Sequence, residues 1–212
     1  MIDKLNSKEP FYGNNFSIEQ DIFSWNELES LLNLRPFINN TRFKATNQSD
    51  YTWNNQTWLT DVNTWPASLL SEVIRKDTCF IVDCSRVNKK INNICKIIEE
   101  KWKYPTDAHI YFSFKEQQKG FDSHWDYSNN LIVQIDGETN IKIWNELKYE
   151  GDRQVKSKSE PIIDIIMKPY DYVFVPKNML HQAVPLSKRL SISFPMSTDT
   201  NIETQDRDWI TI

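Results

Sequence analysis

Three cysteines, Cys79, Cys84 and Cys95, with no C-x-x-C pair among them, are too few for a disulfide framework or a thiolate zinc site, and they fit a reducing compartment. Long apolar runs are missing as well, since no stretch approaches the ~20 residues needed to span a bilayer. The N-terminal MIDKLNSKEPFYGNNF carries charges where a secretory signal needs an apolar centre. A soluble, cytoplasmic protein without a membrane partner is therefore expected. Positive charge is not in excess either. With 25 Lys and Arg against 29 Asp and Glu, the net charge of −4 provides no basic field for a nucleic-acid backbone, so nucleic acid is not an expected partner.

What remains is ordinary globular composition, 39% hydrophobic and 25% charged, in 212 residues that suffice for one well-buried core. We read a single domain: a helical and loop-rich part over 1–78, a β-barrel core over 79–195 and a polar tail over 196–212, of which Trp209 and Ile210 are expected to dock. A short strand is predicted around Phe16 to Ile22. Ser24-Trp25-Asn26-Glu27 has the form of a capping box and opens a helix to about Asn33, with Trp25, Leu28, Leu31 and Leu32 on one side. A strand near Thr41 to Thr46 follows. The Trp-rich stretch from Tyr51 to Trp65 lacks periodicity and reads as an ordered loop, either a lid or a segment anchored on the barrel by its tryptophans. Pro66 suits the first turn of a second helix, to about Lys76.

CFIVD at 79–83 reads as a buried strand. From Val87, apolar residues at 87, 91, 94, 95, 98 and 102 form a helical stripe that Pro105 closes. AHIYFSF at 108–114 alternates, which puts His109, Tyr111 and Ser113 on one face. After a charged connection beyond Asn145, short strands at 162–167, 171–175, 181–184 and 189–194 are divided by Pro169, Pro176, Pro185 and Pro195. Many short strands with Pro-marked turns predict a mainly β (α+β) sandwich or barrel with helices on one side.

The chemistry concentrates between Phe121 and Trp144, FDSHWDYSNNLIVQIDGETNIKIW. His124 and Asp126 are two apart, so an extended strand sends both to one face and Trp125 to the other. His181 arrives from a Pro-bounded segment, KPYDYVFVPKNMLHQAVP. Two imidazoles and one carboxylate on a β frame suggest the facial triad that holds non-haem Fe(II) and leaves coordination positions open. Such an ion keeps about one positive charge beside Asp126 and so favours an anionic partner. A chelating 2-oxo acid would fill two open positions and leave one for dioxygen. A second carboxylate on that acid would need a cation. Arg189, eight residues after His181, is best placed to supply it, and Ser191 on the same face adds a hydroxyl.

On these residues the chain resembles the Fe(II)/2-oxoglutarate-dependent oxygenases, in the cupin-like or JmjC-like branch that includes hydroxylases, over roughly residues 79–195. The resemblance is carried by H-x-D at His124-Trp125-Asp126, by the strand, Gly137 turn and strand that follow, and by the approach M-K-P-Y-D-Y-V-F-V-P-K-N-M-L-H, with Tyr170 where Gly is usual. It implies a double-stranded β-helix (a jelly-roll or cupin barrel) with His124, Asp126 and His181 as ligands to Fe(II). It also implies 2-oxoglutarate and O2 as co-substrates, decarboxylation to succinate, and hydroxylation of a protein or peptide side chain or of a small molecule. A homodimer is compatible with it.

Asn130 matches an asparagine that contacts the co-substrate in related hydroxylases. The lysine that binds the distal carboxylate in much of the branch falls at Thr139. The anchor is therefore expected elsewhere: Arg189-Leu190-Ser191 resembles the R-x-S element of other 2-oxoglutarate oxygenases, with Lys142 and Tyr111 as further candidates. Two rival readings are a metal-dependent cupin enzyme that does not use 2-oxoglutarate, favoured by Thr139, and a non-catalytic cupin binding module.

Overall fold

A computed structural model describes residues 1–19, 21–34, 42–45, 58–59, 79–82, 84–85, 88–116, 120–148 and 155–197. Among these, an antiparallel sheet of eight strands runs in the spatial order β1 (Phe11–Gly13), β9 (Tyr172–Val175), β6 (Asn129–Asp136), β11 (Arg189–Met196), β5 (His109–Ser113), β4 (Cys79–Val82), β2 (Arg42–Ala45), β3 (Trp58–Leu59). A second sheet holds β10 (Met179–Pro185), β7 (Thr139–Leu147) and β8 (Ile163–Met167). From β6 onward the chain crosses repeatedly between the two sheets, which is the winding of a double-stranded β-helix.

Side-chain alternation gives the large sheet two different faces. Leu190, Ile192 and Phe194 of β11 and Leu131 and Val133 of β6 join a core with Leu28 and Leu31 of α1 (Trp25–Leu34) and Ile91, Ile94, Cys95 and Ile98 of α2 (Lys89–Trp102). The opposite face looks toward the small sheet. There Val173 and Val175 pack with Ile141, Ile143 and Met167 in a separate apolar cluster. Strands β6 and β11 are thus covered on both sides, and their inward positions are free to carry polar residues into the barrel.

Both helices start where their caps dictate. The Ser24 hydroxyl accepts from the Glu27 N–H at 3.2 Å and donates to the Glu27 carboxylate at 2.8 Å. Trp25 Nε1 donates to Asp136 at 2.7 Å, tying α1 to the end of β6. Asn88 caps α2 by accepting from the Lys90 and Ile91 N–H groups, and Lys103, at φ 57°, ends it. The helix therefore begins at Lys89.

The strand predicted over Phe16 to Ile22 is not one. The strand lies earlier, at β1, where Phe11 stacks on Phe174 with ring centroids 5.0 Å apart. Asn15 then takes φ 59°, and the Phe16 N–H bonds the Tyr170 carbonyl instead of a ladder partner, so Phe16 and Ile22 bury as anchors of irregular chain. Tyr170 itself has φ 68°, the left-handed conformation that explains why glycine is usual there. Its N–H bonds the Gln134 carbonyl at 2.7 Å and its hydroxyl reaches Asp21 at 3.4 Å, which hold the turn into β9. The Tyr51 to Trp65 loop apart from β3, the helix from Pro66 and the docking of Trp209 and Ile210 lie outside the described residues.

Candidate metal and co-substrate site

Main-chain pairing brings the two histidines together. Gly120 lies so close to β10 that a Cβ there would fall 2.0 Å from the Ala183 carbonyl oxygen, and the missing side chain lets the segment after it run alongside. His124 and His181 then exchange two hydrogen bonds, N–H to carbonyl at 2.9 and 2.8 Å, in an isolated antiparallel bridge. The H-x-D segment is otherwise irregular, not the continuous strand that was predicted. What keeps it extended is this bridge together with the Asn178 N–H on the Asp126 carbonyl at 2.7 Å. His124 and Asp126 still share a face, and Trp125 is fully buried on the other, edge-on to Tyr127 at 4.8 Å.

Each ring is also fixed in the same way. His124 Nδ1 lies 2.9 Å from the Asp122 carbonyl and His181 Nδ1 lies 3.0 Å from the Met179 carbonyl. A carbonyl only accepts, so Nδ1 carries the proton in both rings and the Nε2 lone pairs face the cavity. The two Nε2 atoms sit 3.9 and 3.6 Å from Asp126 Oδ2, and the ligand atoms of all three residues lie within 4.8 Å of one another. Asn130 Nδ2 donates to the same Oδ2 at 2.9 Å and in turn receives the Ser193 hydroxyl on Oδ1 at 3.4 Å. Two oriented imidazoles and one hydrogen-bonded carboxylate, with backbone carbonyls behind the rings, suit a divalent transition ion of the Fe(II) type. The residues fit the group.

The same cavity reaches Arg189, Ser191 and Tyr111, and its apolar wall includes Phe121, Ile132 and Ala183. Arg189 is only 2% exposed on β11, an internal strand between β5 and β6, and not on a sheet edge. No carboxylate pairs with it among the described residues, and its Nε has no hydrogen-bond partner. Burial pushes its guanidinium down to about 10, against a smaller upward influence of Tyr111. At neutral pH it remains a cation. A buried cation without a counter-ion is costly, and a ligand anion would relieve it.

Lys142 is a correction. It occupies an outward position of β7, between the inward Ile141 and Ile143, and pairs with Asp164 at 3.5 Å outside the cavity. Thr139 is buried on the inward face of that strand. Asn130 lines the cavity, and its amide is engaged with Asp126. His109 stays out of the ligand cluster, beside Tyr111. Ser193 was missed in the sequence, although it is the third member of a polar series at spacing two, Arg189, Ser191, Ser193. Phe121 and Ala183 had no local signal, because it is the bridge around Gly120 that places them.

An antiparallel double-stranded β-helix with these residues at its mouth defines a class. The chain belongs to the JmjC domain family, whose pattern matches residues 81–204. Among proteins of that kind it is similar to the bifunctional lysine-specific demethylase and histidyl-hydroxylase NO66 of Drosophila persimilis, 26% identical over 137 residues, 62% of this chain and 20% of that one. The NO66 protein of Caenorhabditis elegans is 23% identical over 128 residues, 56% of this chain and 17% of its own length. The chain thus aligns with a fifth or less of these two relatives. Among solved structures, the ribosomal oxygenase YcfD from Escherichia coli in complex with cobalt and 2-oxoglutarate superposes with a TM-score of 0.67 at 17% identity, covering 94% of this chain and 52% of YcfD. A further crystal structure of the Escherichia coli ribosomal oxygenase YcfD gives 0.68 at 16% identity.

Proposed function

We propose that the chain is an Fe(II)- and 2-oxoglutarate-dependent oxygenase that hydroxylates a side chain of a protein. One observation carries the reading: three ligand-type side chains converge in a cavity that also contains a buried cation with no counter-ion among the described residues. The family match supports it, as do the histidyl-hydroxylase and ribosomal-oxygenase names of similar proteins, which are the reason for preferring a protein substrate.

In this reading His124, Asp126 and His181 hold the iron, which when bound supplies the activation of dioxygen. Asn130 holds the Asp126 carboxylate in one orientation. Arg189 takes the distal carboxylate of 2-oxoglutarate, with Ser191 and Tyr111 beside it. The apolar wall of Phe121, Ile132 and Ala183 limits water around the reacting groups. The balance is one 2-oxoglutarate, one O2 and one substrate C–H giving succinate, CO2 and C–OH.

Iron-loaded protein prepared without air and then given 2-oxoglutarate, ascorbate and oxygen should release succinate. Asp126→Ala should release none and should retain no stoichiometric iron by elemental analysis, because two ligands remain where three are needed. Intact-protein mass spectrometry of candidate substrates should show the gain of one oxygen atom. An iron-loaded wild type that makes no succinate would sink the proposal.

A further inference from the structure

Among the described residues, four side-chain polar atoms are buried without a hydrogen-bond partner: Ser113 Oγ, Gln134 Oε1, Thr139 Oγ1 and Arg189 Nε. Buried polar groups are nearly always paired, so four orphans call for a cause. They do not scatter through the core. Ser113 is the cross-strand partner of Arg189, and Gln134 pairs with Ser191 two residues further along β11. Gln134 and Thr139 flank the Gly137 turn, and that turn presses on the residue before Arg189: a Cβ on Gly137 would lie 1.8 Å from the Lys188 carbonyl oxygen. All four sit on inward positions of β5, β6, β7 and β11 at one end of the barrel.

Their chemistry is complementary. Arg189 Nε–H can only donate. Gln134 Oε1, a carbonyl oxygen, can only accept, and the amide nitrogen beside it is held by donating to the Asp136 carbonyl at 2.7 Å. The Ser113 and Thr139 hydroxyls do either. A single water both accepts and donates, and buried waters are held by two to four such groups. We propose that Ser113, Gln134 and Thr139 are positioning residues that enclose a water shared with Arg189 Nε and thereby aim the remaining guanidinium N–H groups at the far carboxylate of a dicarboxylic 2-oxo acid. This rests on the oxygenase reading and adds to it how the arginine is held where Thr139 stands.

The test is equilibrium binding to Mn(II)-loaded protein in the absence of air, so that no turnover enters. Two ligands are compared: 2-oxoglutarate and 2-oxopentanoate, which share the metal-chelating end and differ in the far carboxylate. Wild type should prefer the diacid and Arg189→Met should lose that preference; equal binding of both acids by wild type would overturn the anchor role of Arg189 itself. With the preference present, Thr139→Val and Ser113→Ala should each weaken 2-oxoglutarate roughly tenfold, the size of one hydrogen bond to a charged group, and leave 2-oxopentanoate unchanged. Thr139→Ser should restore the diacid. If both variants weaken the two acids alike, or neither, the positioning role is wrong while the anchor role of Arg189 stands.

Discussion

Arg189 shows how one buried side chain can set function against stability. Its guanidinium is depressed by burial from its ordinary value to about 10, so the folded chain holds that proton less tightly than the unfolded chain does. The resulting penalty on folding is present in full below about 10 and fades as pH rises from there toward the ordinary arginine range. Arg189→Met should therefore raise the melting temperature of ligand-free protein, by about 2–4 °C for each kcal/mol relieved in a domain of this size, while 2-oxoglutarate binding is lost. Its advantage in urea unfolding should stay level up to pH ~10 and narrow above it. A variant less stable than wild type at neutral pH would mean that the cation is compensated in the free protein. The sequence made Arg189 visible through its spacing from His181. It could not show that no carboxylate among the described residues pairs with it, because that depends on what β5 and β6 place opposite it.

Strands and helices divide the labour. The apolar stripe of α2 was legible from its 3.6-residue period, and the structure buries Ile91, Ile94, Cys95 and Ile98 against the outer face of the large sheet. The period-two alternation of β5 and β11 was equally plain for Tyr111 and Ser191, which both line the cavity. What sequence could not give was the H-x-D segment. Its extended form comes from a bridge to a strand 57 residues away, and no local pattern encodes that. The start of the chain was misread for a related reason: Phe16 and Ile22 alternate like a strand yet are buried by tertiary contacts. This division yields a prediction at the same scale. Ile94→Ala should cost about 2–5 kcal/mol, seen as a lower urea midpoint. Mn(II) affinity of the still-folded fraction should be unchanged, because Ile94 lies on the side of the sheet away from the cavity. A parallel loss of metal affinity would mean that the helix supports the ligands directly.

At the scale of the whole molecule, a sandwich or barrel was legible from the Pro-divided strands of the second half and its winding between two sheets only from the family resemblance, and the family match covers the same region. The site draws on both sheets: His181 belongs to the small one, Arg189 to the large one, and His124 joins them. Ligands that bind across such a seam should stabilise the fold as a unit. Saturation at one hundred times the dissociation constant adds about 2.7 kcal/mol. Mn(II) with 2-oxoglutarate should therefore raise the melting temperature more than Mn(II) alone, and EDTA should reverse both shifts. A metal response with no increment from the 2-oxo acid would favour the cupin reading that does without it.

His124 and His181 are joined by reciprocal main-chain hydrogen bonds, so the imidazoles cannot part unless that small ring of peptide groups opens first. The amide protons of residues 124 and 181 should then act as reporters of occupancy. In deuterated solvent they should exchange together, and slow together when a divalent ion is added. Measured on metal-free protein, their exchange rates would record how often that bridge opens, without any need for turnover.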